Sequence, residues 1–328
     1  MSRPPRGLLD DQPDWAPDGS RLVFTRCPTG RCEIYTIRPD GTGLRRLSGL
    51  PGVPGGGDDS HASFTGDGRH IVFTRASGGL RTYPGGDQIE HSDIVVMNLD
   101  GKNRRVVLRA PSFQADYEWP MFSPNGSRLV YEHRRSYFAD RQMRRALVVA
   151  SANGKSRKRI TPWSLNAGDG PDWSPNGVRI LFRSHEDEDE ATQSQLYTIR
   201  PDGTDLRRLT NFPRGTLVLS ATFSPDGKQI VFSKGGIAGQ ADVFTMRADG
   251  TNVRPVTKSH DRCAFRARRP SRGRPRCRHF VRGATTAACS RHEWDRSRNK
   301  KKDRHVPHEV HSRADGARGQ AGGYARLM

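Results

Sequence analysis

A unit of about 50 residues recurs five times between the N-terminus and residue 257. Its clearest copy reads GPDWSPNGVRILFRS over 170–184 and QLYTIRPDGTDLRRLT over 195–210. The copies are marked by turn glycines spaced 49, 58, 51 and 50 residues apart, namely Gly19, Gly68, Gly126, Gly177 and Gly227. Repeats of about 40–50 residues that contain several strands are typical of propeller blades or of a solenoid.

Apolar residues alternate with a period of two within each unit. In VRILFRS, Ile180 and Phe182 fall on one side of an extended chain and Leu181 falls on the other. This period predicts strands, since a helix would repeat every 3.6 residues. Asp-Gly and Asn-Gly pairs between the runs predict tight two-residue hairpins that join antiparallel neighbours. We therefore predict four strands in each unit, A to D, and an all-β chain.

The combination of PDWSPNG, QLYTI, PDGT and LRRLT resembles the repeat of TolB-type β-propellers, which are relatives of the WD-type propellers. The resemblance covers residues 10–257 and recurs in all five units. It implies a β-propeller of TolB-like four-stranded blades, five of which are clear. Propellers of this family usually have six blades, so the resemblance also implies an incomplete ring whose end blades are uncovered.

The composition changes abruptly after residue 259. The chain has a net charge of +20, and +14 of that charge lies in residues 258–328, where the alternation stops and Arg, Gly, Pro, Cys and His accumulate. We therefore divide the chain into an N-terminal stub (1–9), the propeller (10–257) and a basic tail (258–328). The tail is predicted either to be disordered or to be an out-of-frame reading of GC-rich coding sequence.

The cysteines and the apolar runs do not identify the cellular compartment. Cys27 and Cys32 bracket a loop between two predicted strands, and they either pair in an oxidising compartment or remain two free thiols. No apolar run approaches the ~18 residues of a membrane span, and the first residues show no apolar core of a signal peptide. The resemblance implies a periplasmic or secreted relative, whereas the sequence as it stands reads as cytoplasmic, so we predict no localisation.

Two kinds of connection alternate in such a fold. The A–B and C–D turns share one face, and the B–C and D–A connections share the other, which holds the long segments 48–60, 75–92, 133–145 and 184–194. Binding residues often lie on loops held by a rigid scaffold, although loop length also drifts without a function. The candidate partner-binding residues are the arginines and aromatics of the third unit: Arg134, Arg135, Tyr137, Phe138, Arg141, Arg144 and Arg145. They suit an acidic peptide, a phosphate or a sugar acid, or they are simply exposed.

Acidic residues stand just ahead of the A strands, where they would lie near the mouth of the central channel. They are Asp10, Asp11, Asp58, Asp59, Asp116 and Asp169. They form either a polar ring or, more simply, hydrogen bonds to backbone N–H groups. The acidic run 186–190 beside His185 offers carboxylates for Ca²⁺ or Mg²⁺ but lacks the ligand spacing of a calcium loop. We therefore predict no metal and no cofactor.

Catalysis has little support in the sequence. No nucleophile elbow, zinc-protease motif or phosphate-binding loop occurs. TolB-like propellers also precede the hydrolase domain of prolyl-oligopeptidase-type peptidases, and the chain as it stands has no room for such a domain. We predict a non-enzymatic monomer that binds a protein or peptide partner on the face of the B–C and D–A connections.

Two other functions stay open. A propeller hydrolase or lyase would require Asp11, Asp59 and Asp169 to converge in the channel with perturbed pKa values. Nucleic-acid binding would involve only the basic tail, whose arginines and lysines are accompanied by Phe265, Phe280 and Trp294.

Overall fold

In the computed structural model of this chain, the described residues are 8–27, 31–49, 58–82, 88–111, 115–136, 143–185, 193–236 and 241–257. They form five four-stranded sheets in the order predicted from the repeats. The sheets are the blades of a β-propeller, and each contains strands A to D of one unit. The tail and the stub lie outside the described residues, apart from positions 8 and 9.

The strands follow the chain blade by blade. Blade 1 contains β1 (Leu9–Trp15), β2 (Leu22–Cys27), β3 (Glu33–Ile37) and β4 (Arg45–Arg46). Blade 2 contains β5 (Asp58–Phe64), β6 (His70–Thr82), β7 (Gln88–Asn98) and β8 (Arg105–Leu108). Blade 3 contains β9 (Ala115–Phe122), β10 (Arg128–Ser136), β11 (Met143–Ser151) and β12 (Arg157–Arg159). Blade 4 contains β13 (Ala167–Trp173), β14 (Ile180–Ser184), β15 (Gln195–Ile199) and β16 (Arg207–Arg208). Blade 5 contains β17 (Thr216–Phe223), β18 (Gln229–Gly236), β19 (Ala241–Arg247) and β20 (Arg254–Pro255).

Neighbouring strands within a blade are antiparallel throughout. This arrangement puts the A–B and C–D turns on one face of the propeller and the B–C and D–A connections on the other, as predicted. The described residues contain a single turn of 3₁₀ helix, Trp163–Leu165, in the connection between blades 3 and 4. None of the helical structure described is long and apolar enough to cross a membrane.

The hydrophobic cores lie between the blades, because the central strands of each sheet have apolar residues on both of their sides. The B-strand residue four positions after the turn glycine faces the following blade, and the residues beside it face the preceding blade. In the core between blades 3 and 4, for example, Val130 of blade 3 packs with Trp173, Ile180 and Phe182 of blade 4. The same pattern builds the cores between blades 1 and 2, 2 and 3, and 4 and 5. Five blades thus enclose four cores within the described residues.

The C–D turns lock neighbouring blades together at the rim. Gly101 has a φ of +78° in its turn, and a Cβ atom built on it would lie 2.5 Å from the carbonyl oxygen of Leu47 in blade 1. Gly250 lies against Leu209 of blade 4 in the same way. The glycine of the repeated Asp-Gly pair is therefore required both by its backbone conformation and by the close approach of the preceding blade.

Two local predictions were wrong in detail. The hairpins are not two-residue turns: in blade 1 the loop is Pro17–Ser20, with the N–H of Gly19 donating to the carbonyl of Ala16 and the carboxylate of Asp18 accepting from the N–H of Ser20. Only the glycine has a positive φ there, which suits a four-residue loop. Part of the predicted loop segments 75–92 and 133–145 is strand, because the B–C hairpins of blades 2 and 3 extend beyond the sheet core.

The rim contact gives a first prediction. We expect Gly101→Ala to lower the free energy of unfolding by more than Gly126→Ala in chemical denaturation of the full chain. Both substitutions place a side chain at positive φ, which costs roughly 1–2 kcal/mol. Gly126 has no atom within 4 Å of its built Cβ atom, whereas Gly101 would collide with backbone, adding roughly 1–3 kcal/mol. Equal losses would show that the turn does not support the blade interface.

Candidate partner-binding site at the mouth of the channel

Each of the first four A strands is kinked by a residue with positive φ seven positions before the turn glycine. These residues are Gln12, His61, Trp119 and Gly170, and the pairing of each A strand with its B strand shifts register there. Such bulges re-aim side chains next to functional sites. The rings of His61 and Trp119 pack against each other with centroids 3.8 Å apart and planes tilted by 33°, and the amide oxygen of Gln12 accepts the backbone N–H of His61 at 3.0 Å. Three blades therefore meet at this point.

A buried ion network lies beside the rings of His61 and Trp119, between blades 3 and 4. Glu132 of β10 is fully buried, and its carboxylate lies 3.3 Å from the guanidinium nitrogens of Arg134 and Arg145. The same carboxylate accepts the backbone N–H of Asp169 at 2.6 Å. Burial raises the pKa of Glu132, and the two arginines oppose that shift. The effect of burial outweighs that of the arginines, so the pKa of Glu132 lies above its usual value.

Asp169 joins the network to blade 4. Its carboxylate pairs with Arg145 at 3.1 Å, with Arg183 at 2.5 Å and with His185 at 2.7 Å. Burial alone would raise the pKa of Asp169, but Arg183, Arg145 and the hydrogen bond from His185 hold it well below its usual range. Asp169 is therefore ionised at neutral pH, with all three partners supplied by the protein itself.

The second arginine beside Glu132 is Arg134, and its partners lie within blade 3. It lies 2.8 Å from Glu118 and 3.3 Å from Glu132. Burial lowers the pKa of Arg134 less than the nearby carboxylates raise it, so the guanidinium is permanently charged. Asp116 lies close by, and burial together with Glu118 raises its pKa to about 7. This carboxyl accepts the backbone N–H of Ser92 at 3.2 Å.

In blades 1 and 2 the predicted acidic residues have partners in their own blade, except Asp58 of blade 2, which bonds to blade 1. Asp10 forms a bidentate pair with Arg26, and Asp59 forms the same pair with Arg75. Asp58 accepts the N–H of Cys32 at 2.5 Å. Asp11 accepts the N–H of Gln12, and burial raises its pKa. The six acidic residues thus do not form one symmetric ring. Some form ion pairs with arginines, and the others accept backbone N–H groups.

Two further carboxylates, which were not among the residues predicted from the sequence, line the channel. Asp14 accepts the N–H of Phe64 at 2.9 Å, and Asp172 accepts the N–H of Phe223 at 2.7 Å, so each bridges its A strand to that of the next blade. Burial raises the pKa of both to about 6, and the charge of Asp14 adds to the shift of Asp172. The recurrence of Pro-Asp-Trp in units 1 and 4 was the signal that could have identified them.

An exposed basic and aromatic patch lies on the loop face next to the network. We call it the Trp163 patch; it comprises Trp163, Arg135 and Arg159. The guanidinium carbons of Arg135 and Arg159 lie 4.6 Å and 5.3 Å from the ring centroid of Trp163, and both arginines are exposed. The ring of His133 contacts Trp163 edge-on at 5.2 Å. Burial, followed by the charges of Arg135, Arg157 and Arg159, lowers the pKa of His133 to about 4, so the local field is positive.

The candidate arginines from the sequence therefore differ in their surroundings. Arg145 is buried in the ion network, and Arg134 is half-buried there. Arg135 is exposed in the Trp163 patch, and Arg144 is half-buried. Tyr137, Phe138 and Arg141 lie outside the described residues, as does the acidic run 186–190. Within the described ranges, no group of three or more His, Cys, Asp or Glu residues is placed to hold a metal ion. Cys27 and Cys32 form a disulfide, which resolves the alternative left open by their spacing.

The ion network gives a second prediction. We expect Glu132→Ala to lower the free energy of unfolding by about 3–5 kcal/mol, since it leaves buried Arg145 and half-buried Arg134 without their shared carboxylate. Urea denaturation of the full chain measures the change. Asp205→Ala is the control, because Asp205 pairs with arginines that are partly or largely exposed, where ion pairs contribute little. A loss at Glu132 no larger than at Asp205 would contradict a structural role for the network.

The channel carboxylates give a third prediction, on pH. Because the folded pKa of Asp14 and Asp172 lies above the unfolded value of about 4, the folded state binds more protons between pH 4 and 6, and stability falls as pH rises through that window. We expect Asp14→Asn with Asp172→Asn to raise stability at pH 7.5 by up to about 3 kcal/mol per site and to flatten the profile between pH 4 and 6. Asp18, whose pKa is lowered by Ser20, is the sign control: Asp18→Asn should give no gain.

Comparison with known proteins agrees with this architecture. The PD40 family, described as the TolB beta propeller domain, matches residues 82–274. The Tol-Pal system protein TolB of Francisella tularensis subsp. mediasiatica is 24% identical over 221 residues, which cover 67% of this chain and 44% of TolB. Dipeptidyl-peptidase 5 of Porphyromonas endodontalis is 32% identical over 111 residues, covering 34% of this chain and 15% of that protein. The chain therefore spans less than half the length of either relative.

Solved structures show the same fold. A putative TolB from Agrobacterium tumefaciens superposes with a TM-score of 0.56 at 19% identity, covering 75% of this chain and 80% of that one. An oligogalacturonate lyase in complex with manganese superposes with a TM-score of 0.53 at 16% identity, covering 76% and 66%. At these identities the likeness extends to the fold and no further. The family match over more than half of the 328 residues, together with the five blades, shows that this chain belongs to the TolB beta propeller domain family.

Proposed function

We propose that this chain is a non-enzymatic scaffold that binds an acidic segment of a protein or peptide partner on its loop face, with the Trp163 patch as the central contact. Membership of the TolB-like propellers supports a protein-binding scaffold in general. The Trp163 patch indicates the chemical character of the partner. Two exposed guanidinium groups over one indole ring suit a partner segment that carries both carboxylates and apolar side chains.

The observation that carries the proposal is the contrast between the two groups of arginines. Arg134 and Arg145 are neutralised by Glu118, Glu132 and Asp169. Among the described residues, neither Arg135 nor Arg159 forms an ion pair with a carboxylate. The exposed charges of the Trp163 patch are therefore available to a partner, and the buried network beneath holds the strands that present them.

The contacts of Asp11, Asp59 and Asp169 support a binding role over catalysis. Asp59 is paired with Arg75, Asp169 with Arg145, Arg183 and His185, and Asp11 with the N–H of Gln12. A carboxylate that acts as a general acid or base needs a free approach to its substrate. The hydrolase or lyase alternative rests on these three residues, and each of them already has partners within the protein.

The relatives suggest the kind of partner without naming it. The TolB of Francisella tularensis is a protein of the Tol-Pal system, which makes a protein partner the natural expectation. This chain spans 44% of that relative, so the identity of the partner does not transfer. The acidic character that we propose comes from the Trp163 patch alone.

The proposal predicts charge-dependent binding at the patch. We expect a fluorescein-labelled acidic peptide, with aromatic residues between its glutamates, to bind the full chain in fluorescence anisotropy. We expect Arg135→Glu with Arg159→Glu to weaken binding at least about tenfold, equivalent to about 1.4 kcal/mol. Trp163→Ala should weaken it without altering the salt dependence, because it removes no charge.

The matched control is Arg69→Glu with Arg128→Glu. Both residues are exposed, Arg69 in the A–B turn of blade 2 and Arg128 at the first position of β10, directly after the A–B turn of blade 3. The charge change is therefore the same but lies on the opposite face. Equal weakening by both double variants would show attraction to net charge alone and would contradict a site at the patch. Stronger binding of single-stranded DNA than of the peptide would favour nucleic acid instead.

A further inference from the structure

We propose that this propeller associates head to tail with a second copy of the same chain, the open face of blade 5 in one copy packing on the open face of blade 1 in the other. Two observations lead there. Successive blades are joined by the same kind of interface, and blades 1 and 5 each carry one half of it. Within the described residues, neither of these two halves is covered.

The first open half lies on blade 1. The A-strand aromatic that packs against the preceding blade is buried in blades 2, 3 and 4 at Phe64, Phe122 and Trp173. In blade 1 the corresponding residue is Trp15, and it is 54% exposed. In blade 4 the indole N–H of Trp173 donates to the carbonyl of Met121 in blade 3 at 3.1 Å. The leading face of blade 1 thus presents the same donor and the same apolar ring to solvent.

The second open half lies on blade 5. The residue that faces the following blade is fully buried in the other four blades, at Val23, Val72, Val130 and Leu181. In blade 5 the corresponding residue is Val231, which is 36% exposed. Val256, the counterpart of the buried Leu47 and Leu108, is 60% exposed. The trailing face of blade 5 is therefore an interface surface with nothing against it among the described residues.

A hollow on blade 5 supports the correspondence independently. It has a volume of about 380 Å³, and its lining includes Gln229, Thr245 and Arg254. The residues in the same registers of blade 2 are His70, Val96 and Arg105. They line one wall of a groove of about 370 Å³ whose other wall is the A–B turn of blade 3. The hollow is thus half of an interblade groove.

Polar contacts extend the match to the rim. Arg45 of blade 1 donates to the carbonyl of Asp100 in the C–D turn of blade 2 at 3.1 Å, and Lys158 donates to that of Asp202 in blade 4 at 2.7 Å. Arg254 occupies the same register in blade 5. The C–D turn of blade 1 contains Asp40 at the position of those acceptors. Blade 5 therefore offers the donor, and blade 1 the acceptor, of one more contact of the same kind.

A second copy suits these faces better than the chain's own residues 258–328 do. The basic segment has a net charge of +14 and no alternation of apolar and polar residues, whereas the open faces are built for an alternating β sheet. A contact between different faces is heterologous, so it closes into a ring or continues as an open assembly. The monomer expected from the sequence is the competing outcome.

The test uses the full chain and measures mass by light scattering after size-exclusion chromatography. We expect the wild type to form dimers or larger assemblies whose population rises with concentration. Trp15→Arg blocks the blade 1 face, and Val231→Arg blocks the blade 5 face, so each variant alone should be monomeric. A mixture of the two retains one intact face from each chain, and it should form a complex of two chains.

Controls separate this proposal from its alternatives. Val178→Arg places the same charge on an exposed A–B turn and should leave the assembly unchanged. All three mutated side chains are exposed, and circular dichroism checks that the variants fold. A monomeric wild type, or a mixture that stays monomeric, would overturn the proposal. If the wild type is monomeric and its Trp15 is also shielded from iodide quenching, residues 258–328 or another partner would be the occupant.

Discussion

The packing of one blade against the next is the interaction on which this structure depends. A sheet with apolar residues on both sides cannot be stable alone, because each side must be removed from water by another layer. Here the layer is always the neighbouring blade, and the core clusters each combine residues of two successive blades. The stability of any blade is therefore shared with its neighbours, as in other repeat proteins, and the two end blades are the ones that have most to gain from a further contact.

Much of the fold could be predicted because every blade repeats the same apolar pattern in order to pack on its neighbours. The period of two and the evenly spaced turn glycines determine four strands per unit, because these features are local and occur five times. Leu181, between Ile180 and Phe182, already indicated that both sides of the B strand are apolar. The turn geometry was less predictable: in the A–B loop of blade 1, the side chain of Asp18 accepts a backbone N–H and supports a longer loop than the Asp-Gly pair suggests.

The candidate site was predictable only in part, because its contacts cross the repeat. Glu132 meets Asp169 through a backbone N–H 37 residues away, and no spacing in the sequence relates them. The arginines of the third unit look alike in sequence, yet Arg134 and Arg135 are adjacent residues of one strand and point to its opposite sides. Arg134 is therefore half-buried in the ion network, and Arg135 is exposed beside Trp163. The alternation of side chains puts Arg134 and Arg135 on opposite sides of the strand. Only the packing of blade 4 shows which of the two sides is covered.

The two proposed surfaces are independent because they lie on different blades. The Trp163 patch lies on the loop face at the junction of blades 3 and 4, whereas the open faces belong to blades 1 and 5. Charge at the patch acts over about one Debye length, some 8–10 Å at physiological salt, while contact between blade faces depends on apolar area and on shape. Self-association would therefore leave the patch exposed, and a larger assembly would present several copies of it. A partner with more than one acidic segment would then bind such an assembly with an avidity that no single propeller provides.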